Sequence, residues 1–187
     1  MGDVIKPLPL EGAAEIQLKT FQDHRGWFSR WFCQDTLSEL NHGRPIEQIN
    51  SSMTVKQGAV RGLHFQFAPK MEDKIVRCIQ GKVFDVIVDL RHDSPTKGKW
   101  CSLELDSDKQ NMIYIPKGFA HGFQTLTENC QLLYLHTEYH SPEDEGGFHF
   151  QSPSLDIKWP LEVTEISERD KNLPMLEPDF KGIDRKA

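Results

Sequence analysis

Short runs of β-branched and aromatic residues recur along the chain, and Gly, Pro and polar turn residues separate them. The segment KIVRCIQGKVFDVIVDL, residues 74–90, predicts two strands around residues 80–82. In the second strand, Phe84, Val86, Val88 and Leu90 lie on one face, and Val83, Asp85, Ile87 and Asp89 lie on the other.

CSLELD, MIYIP and CQLLYLHTEYH continue the series of strands, and DSDKQ, KGFAHG and LTEN are predicted to separate them. Regularly spaced short strands with turn signals between them favour a sandwich or barrel over an α/β sheet. Helix signals are few: QDTLSEL near residues 34–40, and a short piece that begins at Ser167. The last stretch, NLPMLEPDFKGIDRKA, is Pro-rich and polar, so we expect a tail on the surface.

At 187 residues the chain has a natural size for one domain. We predict a single domain over residues 1–187. Its N-terminal strands cover about 1–50, its core about 51–160, and its C-terminal helix and tail about 161–187.

Charge and composition narrow the class of protein. The net charge of −6 argues against general nucleic-acid binding, which needs a basic footprint. No apolar run is long enough to predict a membrane span, and MGDVIKPLPLEG has no signal-peptide pattern. The four cysteines are widely separated and form no C-x-x-C pair, which favours reduced thiols in a cytoplasmic protein.

Two segments resemble the paired signatures of cupins, which are double-sheet jelly rolls. The first signature has Gly58, His64, Glu72 and Gly81, and the second has Pro116, Gly118 and His121 in PKGFAH. A metal-binding cupin carries a second histidine two residues after the first, but that position is Gln66 here, and the acidic residue Glu72 has moved from its usual offset. Two histidines alone make a poor transition-metal site, so we expect no bound metal and no cofactor.

His64 therefore has two interpretations. A histidine between Leu63 and Phe65 is by default a buried core residue with one hydrogen bond. A histidine without metal in a barrel mouth is also a good general base near neutral pH. The strand alternation allows His64 and His121 to face one cavity.

Six stretches together resemble the dTDP-4-dehydrorhamnose 3,5-epimerase family. They are DHRGWF (23–28), VRGLHFQ (60–66), DKIVRCIQGKVFDVIVDLRHDSPTKGKW (73–100), IPKGFAHGF (115–123), LLYLHTEYHSPEDEGG (132–147) and SERD (167–170). The resemblance implies a cupin-like, all-β double-stranded β-helix (jelly roll) with short peripheral helices. It also implies a cofactor-independent epimerase that inverts C3, C5 or both of a nucleotide-diphosphate 4-keto-6-deoxyhexose, and a homodimer.

The resemblance gives roles to four residues. His64 corresponds to the base, Tyr134 to the acid on the opposite face, and Lys74 to the cation beside the ketone oxygen. Such a reaction needs all three groups, because the proton alpha to a ketone becomes acidic only when the enolate is stabilised. Asp170 corresponds to the partner of the base histidine.

Alternatives stay open for these roles. Ser167 to Asp170 is also an S-x-x-D capping pattern, so Asp170 could merely finish a helix. Asp85 is a second inward-facing carboxylate that could pair with Lys74, and Tyr139 is a rival to Tyr134 that lies at the strand end. Further residues match positions that contact substrate or its nucleotide in the family: Arg25, Arg30, Gln48, Asn50, Arg61, His121, Glu145 and Arg169.

The sequence departs from the family near the nucleotide base. Arg30 stands where the family usually carries a glutamate, QINSS replaces a run close to QDNHS, Leu135 follows Tyr134, and His140 replaces a tyrosine. These changes suggest a variant that acts on a CDP-linked or other 4-keto sugar, or at one centre only. Two other functions remain possible on this fold: a sugar-nucleotide-binding cupin without turnover, and a 3,4-ketoisomerase.

Overall fold

The computed structural model describes residues 3–184 and forms thirteen strands and two short helices in that range. The strands are β1 Val4–Pro7, β2 Ala14–Gln17, β3 Thr20–Asp23, β4 Gly26–Ser29, β5 Gln48–Thr54, β6 Val60–Gln66, β7 Lys74–Gln80, β8 Lys82–Asp89, β9 Trp100–Asp106, β10 Asn111–Ile115, β11 Phe119–Thr125, β12 Cys130–His136 and β13 Glu145–Gly147. The helices are α1 Gln34–Asn41 and α2 Glu168–Lys171. Five residues of the predicted 1–187 domain, the first two and the last three, lie outside the described residues, and the division of that domain stays a prediction.

The strands form two antiparallel sheets and a separate hairpin. The six-stranded sheet has the order β1-β2-β10-β7-β12-β5, the five-stranded sheet β13-β6-β11-β8-β9, and β3 pairs with β4 alone. Within these, β5-β12-β7-β10 faces β6-β11-β8-β9, which is the strand order of a jelly roll. The predicted all-β double-stranded β-helix with short peripheral helices is confirmed.

Strand β8 is apolar on both faces because each face meets a different core. Val83 and Ile87 pack between the two sheets with residues such as Val76 and Leu132. On the other side, Val86, Val88 and Leu90 pack with Leu63, Ala120, Leu155 and Leu176. The alternation predicted from the sequence is therefore present, and the C-terminal segment covers the outer face.

KGFAHG does not separate two strands, so that part of the sequence prediction was wrong. Phe119–Thr125 is β11, which lies between β6 and β8. Its glycine indicates close packing and not a turn: a Cβ on Gly122 would lie 2.7 Å from the carbonyl oxygen of Arg61.

The C-terminal stretch is also more than a surface tail. Leu176 and Ile183 are buried, and the amide of Ile183 donates to the carbonyl of Leu90 at 2.7 Å. Both predicted helices are present, and Ser167 is the N-cap of α2. No helix of the described residues is long and apolar enough to cross a membrane.

Candidate active site

A cavity of about 260 Å³ opens between the two sheets at one end of the jelly roll. Strands of both sheets supply its walls, so groups from opposite sheets face each other across it. Seven of the predicted site residues line it: Asn50, Arg61, His64, Lys74, His121, Tyr134 and Glu145. The apolar core between the sheets continues beyond this polar end.

Strand register places the polar residues of the six-stranded wall. Tyr134 lies opposite Asn50 on β5, and His136 lies opposite Lys74 on β7. Because side chains alternate along a strand, Tyr134 and His136 both point to the inner face. Lys74 begins its strand, which places its ammonium at the cavity end and not in the apolar core.

A β-bulge brings Arg61 and His64 to the same wall of the five-stranded sheet. His64 pairs with His121 but Arg61 pairs with Phe123, so β6 has two residues where β11 has one. Residues 61 and 64 would otherwise point to opposite faces, since they are an odd number of positions apart. Gly62 allows the bulge: its φ is +108°, and a Cβ there would lie 2.6 Å from the carbonyl oxygen of His121.

His64 is hydrogen-bonded to a buried carboxylate. Its Nε2 lies 2.7 Å from Oδ1 of Asp170, and the side chains are 30% and 4% exposed. Burial would raise the pKa of Asp170, but hydrogen bonds from His64 and the Gly62 amide hold it below its ordinary value. An ionised carboxylate can only accept, so Nε2 carries the proton and Nδ1 remains as the basic nitrogen.

Asp170 combines the two roles that the sequence left open. Its amide donates to the Ser167 hydroxyl at 3.0 Å, which is the N-cap bond of α2. Its carboxylate does not complete a capping box, because it binds His64 and the amide of Gly62 at 3.1 Å. The cap therefore fixes the backbone that aims the carboxylate at His64.

A second histidine–carboxylate pair lies beside the first. Nε2 of His121 is 2.7 Å from Oδ2 of Asp85, and both residues are buried. Burial raises the pKa of Asp85, against the opposing effect of His121. The alternative in which Asp85 pairs with Lys74 is therefore wrong.

Tyr134 faces this wall from the other sheet as a neutral phenol. Burial raises its pKa to about 12, although a hydrogen bond with Ser52 acts in the opposite direction. The two hydroxyl oxygens lie 2.9 Å apart. The rival Tyr139 is exposed and donates to Glu47 at 2.9 Å, and it does not line the cavity.

Lys74 binds Glu72, a residue that the sequence analysis did not assign to this role. Nζ of Lys74 is 2.9 Å from Oε1 of Glu72, and Oε2 of Glu72 is 2.7 Å from Nδ1 of His136. Glu72 and His136 both line the cavity. The available signal for His136 was its spacing, since it is two residues after Tyr134 on a strand and so shares its face.

Gln66, which occupies the second histidine position of a metal-binding cupin, anchors a loop. Its side-chain amide donates to the carbonyl of Lys70 at 2.7 Å, and its oxygen accepts from the amide of Ser141 at 2.7 Å. His64 and His121 are each committed to a carboxylate. Over residues 3–184, no group of three or more His, Cys, Asp or Glu side chains is arranged to hold a metal ion.

Besides Asp170, which lies behind His64, four predicted residues lie outside the cavity wall. Gln48 is one step behind it, with its amide 3.0 Å from Asn50, and Arg169 forms an ion pair of 2.9 Å with Glu145. Arg25 lies in the turn of the exposed β3–β4 hairpin, where it pairs with Asp23, and Arg30 follows the hairpin. Within one chain, the structure does not bring these two arginines to the cavity.

Comparison with known proteins gives a consistent result. Residues 7–178 match the family model of dTDP-4-dehydrorhamnose 3,5-epimerase. The enzyme of that name from Salmonella typhimurium is 41% identical over 87% of this chain and 89% of its own length. A dTDP-4-dehydrorhamnose 3-epimerase from Streptomyces niveus is 38% identical over 92% and 83%.

A solved structure is similar as well. The dTDP-6-deoxy-D-glucose-3,5-epimerase of Legionella pneumophila, in complex with dTDP-4-keto-L-rhamnose, superposes with a TM-score of 0.87. It is 35% identical, and the match covers 92% of each chain. The match therefore extends over nearly all of both chains.

Proposed function

The chain belongs to the dTDP-4-dehydrorhamnose 3,5-epimerase family, and on this premise we propose that it converts dTDP-4-dehydro-6-deoxyglucose to dTDP-4-dehydrorhamnose without a cofactor. The reaction removes a proton next to the C4 ketone and returns one from the other side of the ring. The observation that carries the proposal is the position of His64 and Tyr134 on opposite sheets of one cavity.

In the proposed mechanism, Nδ1 of His64 takes the proton from C3 or C5. Asp170 holds the imidazole in the tautomer that leaves Nδ1 basic and stabilises the cation that forms. The ammonium of Lys74 stabilises the enolate oxygen at C4. Tyr134, protonated because its pKa is about 12, then delivers a proton from the opposite face and inverts the centre.

The nucleotide is proposed to lie at the rim. A cavity of about 260 Å³ is small even for a drug-sized ligand, so it suits the hexose alone. Arg61 lines the cavity but is largely exposed, which suits a contact to the diphosphate. Arg169, Gln48, Asn50 and Glu145 lie around the same opening and are proposed to contact substrate there.

Solvent-deuterium exchange tests the reaction. We expect deuterium at C3, C5 or both when the protein is incubated with dTDP-4-dehydro-6-deoxyglucose in D₂O, and none with His64→Ala. Proton NMR reads the two carbons separately, which distinguishes a 3,5-epimerase from a 3-epimerase. Binding without exchange at either carbon would contradict the enzyme proposal and favour a binding module.

A nucleotide panel tests the base. Calorimetric titration with dTDP, CDP, UDP and GDP should give the tightest binding for dTDP. A clear preference for CDP would replace dTDP with a cytidine-linked substrate and assign the changes at Arg30 and His140 to base recognition.

We also propose that the protein is a homodimer. The β3–β4 hairpin is a two-stranded ribbon outside both sheets, and Phe21, Trp27 and Phe28 are each more than half exposed on it. An isolated ribbon with exposed aromatic residues is only marginally stable in water and suits an interface. In the proposed dimer, the hairpin of one chain packs on the second chain. It brings Arg25 and Arg30 of the first chain to the rim of the second chain's cavity.

A mixed dimer tests this arrangement sharply. Arg25→Ala and His64→Ala homodimers should each be defective, but co-expressed chains should recover about a quarter of the wild-type activity, because half of the dimers are mixed and one of their two sites is intact. If Arg25 acts within its own chain, no intact site forms and no activity returns. Light scattering of the wild type checks the dimer directly.

We place the protein in the cytoplasm. All four cysteines are free thiols, which is the ordinary state in a reducing compartment. Fractionation of the native host, followed by detection of the protein, tests this location.

A further inference from the structure

A continuous line of hydrogen bonds links Lys74 to the rim of the cavity through Glu72 and His136. Glu72 binds the Lys74 ammonium at 2.9 Å with one oxygen and Nδ1 of His136 at 2.7 Å with the other. The side chains of Glu72 and His136 are 7% and 11% exposed. Such a buried line is well defined only when each donor meets an acceptor.

At the rim, a backbone amide determines which group donates in each hydrogen bond of the line. The backbone amide of His140 can only donate, and it lies 3.1 Å from Oε1 of Gln48. The amide nitrogen of Gln48 therefore donates to Oδ1 of Asn50 at 3.0 Å. That bond leaves Nδ2 of Asn50, a donor, facing Nε2 of His136 at 3.4 Å.

At the Lys74 end, the charge of Glu72 leads to the same assignment of donors and acceptors. Burial would raise the pKa of Glu72, but the hydrogen bond from His136 and the charge of Lys74 hold it below its ordinary value. Glu72 is therefore an ionised acceptor at neutral pH, so Nδ1 of His136 must donate to it. Because Nε2 accepts from Asn50 and Nδ1 donates to Glu72, the geometry assigns the ring proton of His136 to Nδ1.

We propose that His136 is a positioning residue which holds Glu72 so that Lys74 is bound through one carboxylate oxygen only. Because His136 occupies Oε2, the carboxylate cannot turn both oxygens to the ammonium. An ammonium has three donors, so a single bond to Glu72 leaves N–H groups for the C4 oxygen of the substrate. The catalytic part of this proposal rests on the function proposed above, in which Lys74 stabilises the enolate.

Packing around His136 supports this role. Its ring stacks on Tyr134, with ring centroids 6.1 Å apart and planes at 21°. Among the described residues, Glu72 is hydrogen-bonded to the ring and Tyr134 stacks on it, and Lys74 lies opposite His136 across the strand pair. Stack and hydrogen bonds together fix the ring plane, which sets the direction of the Nδ1–H bond.

The tautomer is the first test, and it requires no activity. Long-range ¹H–¹⁵N NMR of the wild type at pH 7, with His136→Asn to assign the signals, should show Nδ1 protonated and Nε2 unprotonated in His136. A proton on Nε2, or on both nitrogens, would overturn the proposal.

The second test separates positioning from folding. His136→Phe keeps the stack but cannot donate, Glu72→Gln removes the charge, and His136→Asn retains a donor near the position of Nδ1. We expect kcat to fall by about 10–100-fold in the first two while KM changes by less than about 3-fold, and His136→Asn to recover part of the loss. His149→Phe, at another buried histidine that does not line the cavity, is the matched control and should keep kcat.

The side chain of Lys74 gives a readout that does not depend on turnover. Its ε-methylene NMR signal should shift in His136→Phe and Glu72→Gln and stay in place in His149→Phe. An unchanged signal, or an unchanged kcat, would overturn the positioning role. If the wild type showed no exchange with any sugar nucleotide, the proposed function would fail, while the tautomer and the Lys74 signal would still decide the positioning of Lys74.

Discussion

Asp170→Asn provides a demanding test of the His64 base because the structure predicts how the new amide must orient. The Gly62 amide donates to Oδ2 of Asp170 at 3.1 Å, and this backbone donor persists in the variant. The amide oxygen of the new residue must take that place, so its NH₂ group turns to Nε2 of His64. Nε2 then has to accept, the ring proton moves to Nδ1, and the base loses its lone pair.

The magnitudes separate this effect from loss of stability. Reversal of the tautomer of a catalytic histidine reduces the rate by roughly 10³–10⁴-fold, which is about 4–5.5 kcal/mol of barrier. The variant keeps the volume and both contacts of Asp170, but the two hydrogen bonds that its carboxylate accepts become neutral, which costs about 2 kcal/mol. For a chain of this size, that lowers Tm by about 4–8 °C.

The assay follows deuterium incorporation into dTDP-4-dehydro-6-deoxyglucose, with ¹⁵N NMR for the His64 tautomer. Asp106→Asn is the matched control, because Asp106 is also a buried carboxylate that accepts a backbone amide, and it does not line the cavity. If Asp170→Asn kept more than a tenth of the wild-type kcat, or still carried the His64 proton on Nε2, the proposed role of the pair would be refuted.

Three further predictions concern Tyr134 and Gly62, which belong to the two sheets that enclose the cavity. Tyr134→Phe should still exchange deuterium through His64, but the rate at which inverted sugar forms should fall by about 10²–10⁴-fold. Formation of inverted sugar at the wild-type rate, measured by NMR of the product, would count against an acid role for Tyr134. Burial raises the pKa of Tyr134 to about 12, so the neutral phenol contributes about 2–3 kcal/mol to the free energy of unfolding below pH 10. This contribution is lost as the pH rises to 12. Urea titrations should therefore show a smaller loss of stability at alkaline pH in Tyr134→Phe than in the wild type. Gly62→Ala places a Cβ 2.6 Å from the His121 carbonyl at a φ of +108°, so it should destabilise by about 3 kcal/mol. Gly43→Ala, where a Cβ meets nothing within 4 Å, is its control for urea unfolding, and equal losses in the two would contradict the close approach.

The sequence predicted those parts of the fold that depend on local periodicity. The pattern in residues 74–90 correctly indicated two strands around residues 80–82, and the two predicted faces of β8 meet different cores. The prediction failed at Phe119–Thr125, where Gly118 and Gly122 are typical of turns. Gly122 is required by the approach of a neighbouring strand, and that cause is not visible within the segment itself.

In the site, too, the alternation of side chains along a strand does not predict every position. Strict alternation would place Arg61 and His64 on opposite faces, so only the bulge at Gly62 explains their common wall. Likewise, no local sequence pattern predicts that His136 lies opposite Lys74, because this pairing depends on the register between β12 and β7. The family resemblance correctly predicted Asp170 as the partner of His64, but the partners that depend on strand register, such as Glu72 and His136 beside Lys74, were not predictable from the sequence.

Proton transfer and nucleotide recognition depend on separate parts of the molecule, and this explains where the sequence departs from its family. His64, Tyr134 and Lys74 are fixed by strands of two sheets, and each has a short contact to a neighbouring side chain. Substitution of one of these residues would leave a partner without its hydrogen bond, which is costly in a buried site. Arg30 and His140 lie outside the regular strands and are exposed, so substitutions there break few contacts. Changes at the rim can therefore alter the choice of nucleotide without displacing the groups proposed to move protons.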